Sequence, residues 1–342
     1  MKNDKGGFHL ISTYRGAIMG IAAVLILIFH EWEYLFENVS GVGFVEEFIR
    51  RNGFYGVDIF LLLSGMGLVY AIEKESVGVF YRKRFLRLLV PYLFIGIIRF
   101  LIEKWPITVF LTHISGYDFY AVDMYSFLWF VPAIATLYLL FPLYYMLMKK
   151  SGNACAFTGA VIIVWLFASI CLSDVLRIDL YGFTNRIPIF VIGVLIGRTQ
   201  KRQDDNFAGI HWVMLGLMFV LGLYLAYLTG YRDMPLLVPV QDVFLPGVLI
   251  AFSGSLLLGK IFDLLSKGGV GRAVVNVFAF IGTFSLELYC VQEWLGGLIR
   301  NRFYNLSDAL SNIVVFAASF AAAYLIKLLE NLMFSRRRKN EG

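Results

Sequence analysis

The residues best equipped for chemistry lie where a membrane protein can least easily place them. His30 ends the apolar run Ile18–Phe29, and Arg15 stands before that run with no charge between. On one helix these side chains are rooted roughly 22 Å apart and about 60° apart around the axis. One broad face then carries a cation at its start and an imidazole at its far end. An ionisable group at the edge of a membrane span is costly to place and points to function. An ordinary imidazole titrates near ~6.5, which suits a general base at neutral pH. The alternative is an interfacial histidine with its ring among headgroups. His9, His113 and His211 are weaker candidates: they precede the first span, sit in a short outer segment and begin a later span.

Asp58 lies at the entrance of a second apolar run, Gly56-Val57-Asp58-Ile59-Phe60, which continues to Ser64 and Gly65. A carboxylate there can orient a histidine base and stabilise its imidazolium. It can equally satisfy the orphan N–H groups of a helix start. Arg82, Lys83, Arg84 and Arg87 crowd the start of the third run, just before Pro91. Arg84 and Arg87, three apart, share a helical face. Guanidinium forks suit phosphate, and such a cluster also occurs as lipid-headgroup contacts beside a span. Arg186, Phe190, Gly193 and Gly197 form one stripe, whose glycines allow close helix packing or room for a thin ligand. Glu287 is an acid within an apolar stretch, with a neutral, hydrogen-bonded carboxyl as its plain structural role. Trp129, in Phe127-Leu128-Trp129-Phe130-Val131-Pro132, is either a ligand contact or an interfacial anchor.

Long apolar segments must hold these residues. The chain is 59% hydrophobic and 16% charged, with a mean hydropathy of +0.73. No soluble domain is so apolar throughout; this is an all-α integral membrane protein. Ten spans are expected, near residues 14–30, 54–72, 86–103, 126–148, 155–172, 187–198, 210–229, 242–259, 277–299 and 309–333. The sixth is short, and Ile107–Ile114 is too short to cross. An even count puts both termini on one side. Alternate loops then hold 21 of the Lys and Arg residues on the side of the termini against 8 on the other, with Arg99 inside a span. The positive-inside rule makes the termini cytoplasmic and puts His30 and Asp58 in the extracytoplasmic half. The net charge of +6 follows from these loops and not from a nucleic-acid surface. The lysines before the first run resemble a signal peptide, yet His30-Glu31-Trp32-Glu33 follows where small residues would mark cleavage, so the first span is expected to remain. Cys155, Cys171 and Cys290 offer neither a disulfide framework nor a metal spacing. There is no domain boundary and no internal repeat, and residues 1–342 read as one transmembrane domain without an appended soluble one.

Taken together, the stretches resemble the integral-membrane acyltransferase family 3, which includes O-acetylases of extracytoplasmic polysaccharides. The likeness runs from about residue 13 to residue 330. Gly56-Val57-Asp58-Ile59-Phe60 with Ser64-Gly65, and Arg84-x-x-Arg87 before Pro91, are its most specific parts. Trp129-Phe130-Val131-Pro132, Arg186-x-Pro188-x-Phe190-x-x-Gly193 and Ser285-Leu286-Glu287-Leu288-Tyr289 add to it. The chain departs from the pattern twice. Met19 stands where the family has a basic residue eleven positions before the histidine, with Arg15 one turn earlier on nearly the same face. Gln292 stands where a histidine often follows the Glu-x-Tyr stretch.

The resemblance implies a multi-pass plasma-membrane enzyme with acyl-CoA, most often acetyl-CoA, as donor and no metal. It implies a sugar hydroxyl, on an extracytoplasmic glycan, as acceptor. His30, Asp58 and Glu287 are then the catalytic candidates. Arg82, Arg84, Arg87 and Arg15 are candidates for the donor's phosphates, and Trp129 and Arg186 for substrate. A transporter or exporter of a small polar or anionic solute is the alternative from another class, weakened by the missing repeat.

Overall fold

The computed structural model describes residues 7–178, 180–202, 207–232 and 241–340, and every regular element among them is helical. Lys2 and Lys5, which contribute to the charge bias, lie outside the described residues. The helices are α1 (Gly7–Thr13), α2 (Arg15–Glu31), α3 (Val42–Asn52), α4 (Gly56–Ile72), α5 (Val77–Glu103), α6 (Ile107–Ser115), α7 (Tyr117–Ala121) and α8 (Phe130–Lys150). They continue with α9 (Ala154–Ile170), α10 (Tyr181–Thr184), α11 (Ile187–Arg202), α12 (Gly209–Tyr231), α13 (Gln241–Leu265), α14 (Gly269–Gly282), α15 (Ser285–Arg302) and α16 (Asp308–Asn340).

Seven helical stretches among the described residues are long and apolar enough to cross a membrane, and nine if each of two bent pairs forms one span. The sixth expected span, 187–198, falls on α11, whose 16 residues stop short of that length. Two expected spans are not straight. The first begins seven residues early, at Gly7, and turns by 73° between α1 and α2. The ninth, read as continuous over 277–299, is broken by another 73° bend between α14 and α15. Hydropathy alone does not register such a bend, because apolar residues continue on both sides of it. The fourth span starts at Phe130 instead of 126; Leu128 takes a left-handed φ of 47°, which a helix interior does not allow. The short outer segment forms α6 and α7.

α4 is the central element. In its most apolar window 78% of residues are buried, against 17% for α9 and for α12, which turn their apolar sides outward. Apolar residues surround α4 on all sides, as expected for a helix with neighbours all round. Glycines set two close crossings. Gly65 faces the Phe190 carbonyl and Gly193 faces Leu62, so α4 and α11 touch backbone to backbone. Gly20 lies against Phe278 and Gly282 against Gly16, which joins α2 to α14 in the same manner. A Cβ at any of these four positions would overlap the opposing chain. The stripe through Gly193 and Gly197 is therefore helix packing, with Gly197 set against Met66.

α15 runs alongside α2 in the same direction. Gly282, just before it, meets the start of α2, while Gly296 meets the carboxylate of Glu31 at its end. The seam is closed by charge. Glu31 is only 3% exposed, and Arg300 reaches its Oε2 at 2.7 Å and Glu33 Oε1 at 2.9 Å. Removing one partner of such a buried pair leaves a charge without compensation.

Candidate active site

A cavity of about 760 Å³, open mouth included, runs between α2, α4, α5, α8 and α15. Arg15, Arg84 and Arg87 line one part of it; Ile26, Val57, Phe130 and Tyr289 line another, with Met19, Phe60 and Ser64 also on the wall. Arg15 and Ile26 are eleven residues apart on α2, so the cavity follows the helix for roughly 16 Å.

The three arginines belong to different environments. Arg15 is the first residue of α2, and its Nη2 donates to the Leu63 carbonyl at 3.3 Å. Arg84 is half-buried above the Phe80 ring, 6.0 Å away, and Arg87 is exposed at the rim. The Nε atoms of Arg15 and Arg84 are buried and unpartnered. The described ion pairs include none to Arg15, Arg84 or Arg87. Three gathered cations without a carboxylate repel one another, so the cluster is poised for an anion. Met19 and Arg15 both face this cavity. Arg82, grouped with them by sequence, is exposed and not on the wall.

His30 is the penultimate residue of α2, one turn beyond the cavity-lining Ile26. It is half-buried, and its ring meets Phe29 edge-on at 4.8 Å. The carboxylate acting on it across space is Glu293 of α15. That residue lies one turn past Tyr289, which also lines the cavity.

Asp58 is elsewhere engaged. It is 2% exposed in the first turn of α4, and its Oδ2 lies 3.8 Å from Arg186 Nε. Arg186 is itself 5% exposed, bonds to the Gly182 carbonyl, and lies 5.2 Å from the centre of the Trp129 ring and 5.9 Å from that of Phe54. The neighbouring Asn185 is 2% exposed with both side-chain polar atoms unpartnered. Asp58, Arg186 and Trp129 thus form one group, next to the cavity through Val57 and Phe130. Glu287 turns away from it. It pairs with Lys327 of α16 at 2.6 Å, and Lys327 reaches Glu330 at 3.2 Å. This buried charge triad ties α15 to α16, and it takes Lys327 out of the set of free basic residues. Among the described residues no group of three or more His, Cys, Asp or Glu could hold a metal ion.

Residue spacing assigns no role to Tyr289 or Glu293, although Tyr289 closes the Ser285–Tyr289 stretch and Glu293 lies one turn past it. The helical spacing of Tyr289, Glu293, Gly296 and Arg300 was the available signal: together they form the face that meets α2.

No curated protein and no solved structure matches the chain. A family model described as an acyltransferase domain matches residues 17–329, which runs from the first turn of α2 into α16 and covers every cavity-lining residue named above except Arg15. The chain therefore belongs to the acyltransferase 3 family, as a membrane-embedded acyltransferase.

Proposed function

We propose that the protein moves a short acyl group, acetyl in the first instance, from cytosolic acyl-CoA to a hydroxyl of an extracytoplasmic sugar. The observation that carries this reading is the cavity, which joins three unpaired arginines to the helical turn before His30. Coenzyme A is polyanionic, and its phosphates fit a cluster that lacks its own counter-ion. The thin acyl-bearing arm then follows the cavity along α2. His30 takes the proton of the attacking hydroxyl, with Glu293 holding the imidazolium. The role left for Asp58 is to anchor Arg186 beneath Trp129, where an acceptor ring can stack. In this reading Glu287 stabilises the bundle and does not act on substrate.

The decisive experiment compares acyl content of surface glycan in cells with and without the protein, then follows label from acetyl-CoA in proteoliposomes. Label should enter a saccharide ester only with acetyl-CoA on the arginine side. Unchanged glycan acylation together with carrier-like solute uptake would return the transporter alternative.

The reading also requires an orientation. A reporter after Gly342 should be cytoplasmic and a tag beside Val42 accessible from outside. An external C-terminus would place His30 on the wrong side of the membrane for such an acceptor.

A further inference from the structure

A base alone does not complete acyl transfer, because negative charge builds on the carbonyl oxygen as the hydroxyl adds. The cavity contains a hydroxyl suited to receive that charge. Tyr289 lines it beside Phe130, and its Oη accepts the backbone N–H of Phe130 at 3.1 Å. A phenol has one O–H to donate, and none of the described hydrogen bonds uses it. Phe130 opens α8, a helix of 21 residues, so its N–H is one of the first-turn donors that the helix leaves unpaired. The bond delivers the positive end of α8 to the phenol and polarises its O–H for donation.

The other hydroxyls on the wall are placed differently. Ser285 Oγ donates to the Gly282 carbonyl at 3.2 Å. Ser64 follows Leu63, whose carbonyl receives Arg15, and so sits near the arginine end. Tyr138 lies within electrostatic range of Arg15. Tyr289 is the hydroxyl one turn before Glu293, while Ile26 is one turn before His30 on the adjacent helix. By the contacts of Gly282 with Gly16 and of Gly296 with Glu31, Tyr289 stands level with the middle of α2, so the phenol lies on the cavity wall between the arginines and His30.

We propose that Tyr289 donates its hydroxyl hydrogen bond to the thioester carbonyl oxygen of the bound donor and holds the oxyanion formed during transfer. This deepens the acyl-CoA reading above and rests on it. In the step, the acceptor oxygen bonds to the acyl carbon, the carbonyl electron pair moves onto oxygen, and His30 takes the hydroxyl proton. Collapse re-forms the carbonyl and breaks the carbon–sulfur bond. His30 then returns its proton to sulfur, so the products are an ester and the free thiol of coenzyme A. Tyr289 stays protonated throughout.

The test uses the purified full chain, acetyl-CoA with a ¹³C carbonyl, and Tyr289→Phe. In the wild type the infrared carbonyl band of bound acetyl-CoA should lie below that of the free thioester. Tyr289→Phe should keep acetyl-CoA affinity within a few-fold, return the band toward its free position and lower transfer roughly 100-fold or more, the usual cost of one oxyanion donor. Transfer within a few-fold of wild type, or a band unmoved by the substitution, overturns the assignment. Should Tyr289→Phe fail to fold, 3,5-difluorotyrosine at the same position keeps the shape and strengthens the donor. The band must then move further down, and an unmoved band overturns the assignment equally. A wild type that does not bind acetyl-CoA removes the donor reading and this assignment together. One that binds and transfers without regard to position 289 removes only the latter.

Discussion

His30→Ala should insert, purify and bind acyl-CoA with near-normal affinity, and should lose acyl transfer by 10²–10⁴-fold. That range is the usual worth of general acid–base catalysis, about 3–5 kcal/mol in the barrier. The affinity is spared because His30 lies a full turn beyond the lining residue Ile26, at the opposite end from the arginines. Folding is spared because the ring is half-buried and makes no described hydrogen bond, its ring contact being with Phe29. Two carboxylate variants separate positioning from structure. Glu293→Gln keeps the shape, removes the charge that acts on His30, and should lower the rate by less than His30→Ala with little change in stability. Asp58→Asn strips a 5%-exposed arginine of its counter-ion and should cost folded protein as well as activity. Near-normal transfer by His30→Ala in proteoliposomes would leave the imidazole as an interfacial residue.

How much of this was visible in the sequence follows from what hydropathy and spacing can encode. Long apolar runs fix helices, because a lipid-exposed backbone must satisfy itself, and most spans fell where expected. The bends after Thr13 and Gly282 escaped, since a change of direction within a stretch leaves its mean hydropathy unaltered. Single-face spacing joined Arg84 to Arg87, which both line the cavity, but it could not rank Arg82, which shares their charge and is not on the wall. Pairing across helices was the least legible. Asp58 and His30 lie in neighbouring segments, which invited a direct partnership. The structure gives Asp58 to Arg186 and leaves Glu293 as the carboxylate whose charge acts on His30 at longer range. Glu287 looked like an acid stranded in apolar sequence until Lys327, forty residues away, closed on it. Such pairs depend on the rotation of each helix about its axis, which packing glycines such as Gly20, Gly65 and Gly193 decide.

Arg84→Ala and Arg87→Ala should each weaken acyl-CoA binding by roughly 10- to 100-fold. That is the loss expected for a charge-assisted hydrogen bond of about 1.5–3 kcal/mol. The effect on affinity should exceed the effect on turnover at saturating donor, since the cluster lies far from the acyl carbon. Each substitution also relieves repulsion within the uncompensated trio, so the empty protein should become no less stable and even slightly more so. That sign is diagnostic: residues that served only as structural salt bridges would destabilise the fold when removed. Lysine at either position should restore part of the affinity, because it keeps the charge but lacks the planar fork that grips phosphate at two points. Raising salt should weaken binding to the wild type more steeply than to either variant, as fewer exposed charges remain to be screened. Arg82→Ala, at an exposed residue off the cavity wall, should leave affinity within a few-fold and serves as the matched control. Direct binding of labelled acetyl-CoA to the purified variants decides the matter. Equal affinity in wild type, Arg84→Ala and Arg87→Ala would make the cluster a lipid-headgroup contact. The donor would then have to enter elsewhere.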